Sequence, residues 1–364
     1  MLWVLFALVH AWLGILNLIG PGQPFGDVLY VYPFWVERGL LDGQWVGARA
    51  IVPASRAAIA AGWMIFLLLL GPIALGRIDA VTVALGIVAV VLLPDHPRWA
   101  GALLAVGAWV KVWPAALLVA ALIAVRRRVS VLVGAVVVSL AVVGVGLVLG
   151  AGAALFSAVT EQSARGLQVE SPVATPWLWA AVAGQGGAQV AYDPALLTFQ
   201  VLGAGTDLTA ALTTPVLALV VIAVAVLGVL AVRRGVSEAR LLPVLALALV
   251  MSLVLVNKVG SPQLASWVVV PVILGLLLQR RGGESFVVPA VLALAIAAST
   301  QVVYPVLYER LLALDPVLVL VLTVRNLLYL ALWAWAVSRL AGLLRDPRRS
   351  GAYDSHKLTE GASS

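Results

Sequence analysis

The chain has 364 residues, of which 63% are hydrophobic and 11% charged, with a formal net charge of +7. That apolar share is more than the core of a water-soluble domain hides, and it suits a chain that lies in a bilayer. The lack of cysteine excludes a disulfide framework, a thiol nucleophile and a cysteine metal site. The basic residues sit in short arginine clusters, the pattern of loops facing anionic lipid rather than of nucleic-acid binding.

Apolar stretches of about 20 residues recur along the chain, which predicts an all-α polytopic membrane protein with about ten transmembrane helices, nine to eleven. The first, at roughly 2–20, contains His10 and Asn17 and has no small-residue cleavage site, so it is expected to be a retained helix and not a signal peptide. Further spans are expected at roughly 57–76, 79–94, 99–125, 129–150, 208–232, 241–256, 264–279, 286–304 and 316–340. Four arginine clusters punctuate them: Arg126 to Arg128; Arg233, Arg234 and Arg240; Arg280 and Arg281; and Arg345, Arg348 and Arg349. The positive-inside rule places all four in the cytoplasm, with both termini. Residues 1–345 are then one transmembrane domain. Residues 346–364 are a polar cytoplasmic tail, expected to be disordered.

The loops assigned to the outside are the long ones, and long loops folded over a membrane face carry function more often than tight turns. The first, 21–56, holds Asp27 just past the first helix, after Gly22, Pro24 and Gly26, which stop that helix. Phe25, Tyr30, Tyr32, Phe34 and Trp35 surround it. Asp27 is either an ordinary acid in an aromatic belt or a carboxylate at the membrane rim acting as general base on a hydroxyl. Residues 34–41 are expected to form a short interfacial helix, and Glu37 and Asp42 are competing acids.

"GAWVKVWPAALL" places Lys111 within the fourth span, and "VRNLLYLALW" places Arg325 within the last. A charge at the bilayer centre costs about 2.5–3.5 kcal/mol on insertion scales, so it faces the interior and has a partner. Few acids occupy the spans, which favours an anionic ligand, a lipid phosphate, over an internal ion pair. In "NKVGSPQLASW", Lys258 at a helix end is a flexible point charge suited to phosphate, or a lysine snorkelling at the interface. In "ARGLQVESPVATPWLW", Arg165 and Glu170 either pair with each other or, with Gln168, hydrogen-bond sugar hydroxyls. Gln263 and Tyr304 join that sugar- and acceptor-binding group. Arg77 and Asp79 form a second acidic site or a simple loop ion pair; the span count puts them inside.

Absent motifs narrow the field. No G-x-x-x-x-G-K-[ST] occurs, so no P-loop drives transport, and three histidines in unrelated segments do not make a metal site or a Ser-His-Asp triad. No ligand spacing calls for a metal or other cofactor, although the outer acids are chemically able to hold a divalent cation. "GVGLVLG" supplies a Gly146–Gly150 helix-packing pair.

The segments "LLGPIALGRIDAVTVAL", "AVGAWVKVWPAALL", "RGLQVESPVATPW", "NKVGSPQLASWVVVP" and "YPVLYERLL…VRNLLYLALW", with an aspartate after the first helix, resemble the GT-C superfamily and within it glycosyltransferase family 87. The resemblance runs from about residue 20 to 340. It implies a multi-pass cell-membrane enzyme with its active site on the extracytoplasmic side. Its donor would be a polyprenyl-phosphate sugar, mannose by family default, and its acceptor a hydroxyl of a glycolipid or lipoglycan, with inversion at the anomeric carbon. Asp27 would be the catalytic base, and Lys258, Arg325 and Lys111 would bind the donor phosphate. In one respect the chain departs from the family pattern. "RAIVPASRAAIAAGWM" stands where another full helix is expected, and that helix would put the Arg77–Asp79 loop outside. The span at 79–94 is short, and on a straight count Lys111 lies about 20 Å below Arg98 at 1.5 Å per residue. Either broken or re-entrant helices occur within 57–125, or Lys111 is structural. The competing functions are a lipid or solute transporter or flippase, and a shortened noncatalytic homologue.

Overall fold

The computed structural model describes residues 2–19, 53–152 and 165–346. Asp27, Glu37, Asp42, the interfacial helix expected at 34–41, and nearly all of the polar tail lie outside the described residues.

The chain is mostly helical. In order, α1 is Leu2–Ile19, α2 Pro53–Leu70, α3 Asp79–Leu92, α4 Pro97–Val110, α5 Pro114–Ala124 and α6 Arg128–Val148. After a short α7 (Thr175–Val182), an antiparallel hairpin pairs β1 (Gln189–Asp193) with β2 (Thr198–Leu202), Ala191 opposite Gln200. Then come α8 (Thr206–Arg233) and α9 (Glu238–Leu255). A 3-10 segment, Pro262–Val268, runs into α10 (Val269–Gln279), and α11 (Val287–Gln301) ends in a π-turn, Val302–Val306. A single-turn α12 (Tyr308–Leu312) precedes α13 (Pro316–Arg345).

Among the described residues, six helical segments are long and apolar enough to cross a bilayer: Arg128–Val148, Thr206–Arg233, Glu238–Leu255, Pro262–Gln279, Val287–Val306 and Pro316–Arg345. Ala58–Ala74, Asp79–Leu92 and Pro114–Ala124 are apolar but shorter, below the length of about 20 residues that a single straight crossing needs. The fold is thus that of a helical membrane protein whose α2–α5 region is built from short pieces.

α9 is the centre of the bundle. Leu241 to Val250 are all buried, and α5, α8, α10 and α13 pack around them. A helix apolar on every side belongs in such a place. The outer faces of α6 and α8 instead expose Leu140, Leu147, Leu212 and Leu219, a surface for lipid tails. α4 and α6 pack tightly at their starts, where a Cβ on Gly134 would lie 1.9 Å from the Arg98 carbonyl oxygen. A smaller core of Leu167, Val169, Leu178, Val201, Leu318 and Leu322 fastens the 165–202 loop and its hairpin to the start of α13.

The two ends of the bundle differ in chemistry. At one end the arginine clusters meet: the Arg126 amide donates to Glu238 Oε2 (3.0 Å), Arg234 Nη1 to the Leu344 carbonyl (2.7 Å), and Arg240 Nε to Glu284 Oε1 (3.0 Å). Pro94, Asp95, Glu238 and Arg281 line one cavity of about 230 Å³ there. At the other end lie the loops around Glu170, Lys258 and Tyr304. α3 starts at this loop end and runs to the arginine end, α4 returns, and α5 descends again to Arg126.

The turn between α4 and α5 changes the place expected for Lys111. The predicted span at 99–125 is two helices, not one. Lys111 caps α4 with extended dihedrals (φ −152°, ψ 135°), and Pro114 opens α5, where its missing N–H costs nothing. Lys111 therefore stands at a helix end at the loop face. The same geometry places Arg77 and Asp79 beside the loops that carry Trp267 and Tyr304. The span count separated these loops across the membrane, because it took α4 and α5 for one crossing.

Candidate functional site

Asp79 opens α3 and is 1% exposed. Its carboxylate accepts the Trp267 indole N–H at 2.7 Å on Oδ1 and the Lys111 ammonium at 3.2 Å on Oδ2. One turn on, the Thr82 hydroxyl donates to the Asp79 carbonyl (2.9 Å) and accepts the Trp113 indole N–H (2.9 Å). Trp113 and Trp267 stack at 5.5 Å between centroids and 14° between planes. The elements after "VKVWP" and "GSPQLASW" are thereby tied to the start of α3 through one carboxylate. Lys111 is one-third exposed, so its ammonium is the wet edge of this group.

The second centre is Glu170 with Arg325. Arg325 Nη1 donates to Glu170 Oε2 at 2.6 Å and Nη2 to the Glu170 carbonyl oxygen at 2.6 Å. Both side chains are almost fully buried. Arg325 also bonds Asn326 Oδ1 (3.1 Å) and lies 5.6 Å from the centroid of the Tyr329 ring; Asn326 Nδ2 reaches Thr175 Oγ1 at 2.9 Å. Burial pushes the Glu170 carboxyl above the ordinary carboxylate range, against the Arg325 charge and hydrogen bond and the Arg77 charge, which pull it down. Arg325 lies nine residues into α13, about 14 Å at 1.5 Å per residue, so the Glu170 loop dips well below the helix start.

The two centres share a rim. The Gln168 amide donates to the Lys258 carbonyl (2.9 Å), the Val169 amide to Phe199 (3.1 Å), and Ser171 Oγ to the Asn257 carbonyl (2.5 Å). Gly260 makes this approach possible: a Cβ there would lie 1.9 Å from the Ser171 amide nitrogen. Lys258 is 4% exposed, and burial lowers its pKa. Tyr304, in the π-turn, packs edge-on to Tyr308 at 5.0 Å and receives a long hydrogen bond, 3.4 Å, from Arg77 Nη2. Burial first, then the charges of Glu170 and Tyr304, push the Tyr308 phenol far up, so it stays a neutral donor. Gln263 accepts from Ser261 Oγ at 2.5 Å.

The loop end thus holds Arg77, Asp79, Lys111, Arg165, Gln168, Glu170, Lys258, Gln263, Tyr304 and Arg325, drawn from separate parts of the chain. Three sequence expectations change. Lys111 and Arg325 were expected to lack acidic partners and each has one, because Asp79, the first residue of its span, was read as a loop partner of Arg77 at the far end, and Glu170 lies in a loop outside the spans. Glu170 pairs with Arg325 and not with Arg165. Trp113, Trp267, Thr82, Tyr308, Asn326 and Thr175 complete the network and were not singled out. Their nearest sequence signal was adjacency: Trp113 next to a helix-opening proline, Asn326 next to the buried arginine. Among the described residues no group of three or more His, Asp or Glu stands ready for a metal ion.

No family model, no curated protein and no solved structure matches the chain.

Proposed function

We propose that the protein is a membrane glycosyltransferase. It moves a sugar, mannose on the family resemblance, from a polyprenyl-phosphate donor in the membrane to a hydroxyl of a glycolipid or polysaccharide acceptor at the extracytoplasmic face. The observation that carries this is the loop end itself. Seven charged residues from five chain segments, with stacked tryptophans and paired tyrosines, gather at one face of a bundle whose other face carries the arginine clusters. A lipid-linked donor needs such a place: a polar, cationic headgroup site at the end of an apolar helix bundle.

In the proposed reaction an acceptor hydroxyl oxygen forms a bond to the anomeric carbon as the bond from that carbon to the lipid phosphate oxygen breaks. The hydroxyl proton passes to Asp27, and the polyprenyl phosphate leaves as an anion. The face from which the oxygen attacks makes the product inverted. Lys258 supplies positive charge to the leaving phosphate. Arg325 and Lys111, with their carboxylate partners, hold the loops that frame the site. Gln168, Gln263 and Arg165 are the hydrogen-bonding groups for sugar and acceptor.

The break between α4 and α5 at a charged residue also suits a second function, because transporters build sites from broken helices. Reconstitution into vesicles separates the two. With a labelled polyprenyl-phosphate sugar and a glycolipid acceptor, the transferase yields a new, larger labelled glycolipid. A flippase leaves the donor chemically intact but accessible in the opposite leaflet, and that outcome overturns the proposal.

A further inference from the structure

The charges at the loop end do not balance. Asp79 is engaged by Lys111 and Trp267, and Glu170 by Arg325. Three cations lie outside these two ion pairs, Arg77, Arg165 and Lys258, and of these Arg77 is half-buried in the turn before α3, beside Tyr304. A guanidinium carries five donors in a fixed fork. Among the described residues, the Arg77 guanidinium makes one hydrogen bond, the 3.4 Å contact to the Tyr304 hydroxyl, and its Nε is buried without a partner. Leaving a buried donor unmet is costly, and such groups call for an acceptor. Glu170 is near enough for the Arg77 charge to act on it, yet its carboxylate is held by Arg325.

We infer that Arg77, braced against Tyr304, is the main anchor for a phosphate group at the loop end, the ligand being a phosphate monoester or diester. The fork meets two phosphate oxygens at once, which neither the lysine at 258 nor the one at 111 can do. This assigns to Arg77 the role expected of Arg325, whose own fork is spent on Glu170 and Asn326. Only the source of the phosphate, a lipid headgroup, rests on the transferase proposal. The anion site itself stands on the geometry around Arg77.

The test uses the full chain in detergent and three probes: farnesyl phosphate, farnesol and inorganic phosphate. Farnesyl phosphate is expected to bind Arg77→Gln at least tenfold more weakly than wild type, with Arg77→Lys between them and Arg128→Gln, at the far end, unchanged. Farnesol affinity is expected to be the same in all four. Inorganic phosphate as tight as farnesyl phosphate, and equally dependent on Arg77, supports the anion site and assigns it to free phosphate. Unchanged farnesyl phosphate affinity in Arg77→Gln overturns the inference, as does an equal loss of farnesol. Should Arg77→Gln fail to fold, Arg77→Lys decides. A weakening of threefold or more for farnesyl phosphate alone supports the site, and unchanged affinity overturns it. Binding needs no sugar transfer, so a protein that binds through Arg77 but transfers nothing ends the transferase proposal and leaves the anion site standing.

Discussion

Arg325 and Glu170 lie 155 residues apart in sequence, yet two guanidinium nitrogens meet the acid's carboxylate and its own backbone carbonyl, each at 2.6 Å. One side chain thus fixes both the orientation of Glu170 and the path of the 165–171 loop. With both partners buried, removing one strands the other's charge, which costs about 3–5 kcal/mol. Glu170→Ala and Arg325→Met should each lower the melting temperature in detergent strongly. The double variant should be more stable than either single one. Equal or additive losses would contradict a coupled pair.

Asp79 and Lys111 are partners of unequal weight. Asp79 is buried and serves both Trp267 and Lys111, whereas Lys111 is one-third exposed. Asp79→Ala orphans a buried indole N–H, worth about 1–3 kcal/mol. Lys111→Ala loses a partly solvated pair, worth about 1 kcal/mol or less. Thermal unfolding should rank Asp79→Ala well below Lys111→Ala, and the reverse order would show that Lys111 carries more than this pair.

Gly260 sets the distance between two loops. A methyl group there would meet the Ser171 nitrogen and the Glu170 carbonyl carbon, which are backbone atoms and cannot rotate aside. Gly260→Ala should cost about 1–3 kcal/mol, as overpacking does, and should reduce transfer as Lys258 and Glu170 move apart. A variant with wild-type stability and turnover would show the loops to be slack.

Lys258 gives the account a pH signature. Burial lowers its pKa, while an unfolded lysine titrates near about 10.4. Between the lowered folded value and the unfolded one, the unfolded chain binds more protons, so stability rises with pH in that window. Below the folded value this contribution is flat. Lys258→Met lacks it. Melting temperatures across the alkaline range should therefore shift in favour of wild type relative to Lys258→Met as pH climbs toward 10. A constant difference would mean that the lysine titrates as in water.

The long helices were legible because hydropathy depends on composition over a window: the expected 208–232 and 316–340 fall within Thr206–Arg233 and Pro316–Arg345. The arginines that share one end were legible for the same reason. The break at Lys111 was not. A window over 99–125 averages across it, although Pro114 carried the signal, since a proline cannot extend a helix inward. That single miss moved Arg77 and Asp79 to the wrong end of the bundle. The hairpin from Gln189 to Leu202 was hidden in a long loop of mixed polarity, where strands of five residues have little pattern. The pairing of Glu170 with Arg325 depends on a loop dipping beside α13, and no local sequence feature encodes such a contact.

The central claim is sugar transfer with Asp27 as base, and the direct measurement is the rate at which purified protein in vesicles moves labelled sugar from a polyprenyl phosphate to a glycolipid acceptor. Wild type should form product, and Asp27→Asn should be slower by a factor of about 100 or more, the contribution typical of a general base, while still binding the donor. Transfer by Asp27→Asn at a rate near that of wild type would contradict the account, as would a folded, donor-bound wild type that forms no product.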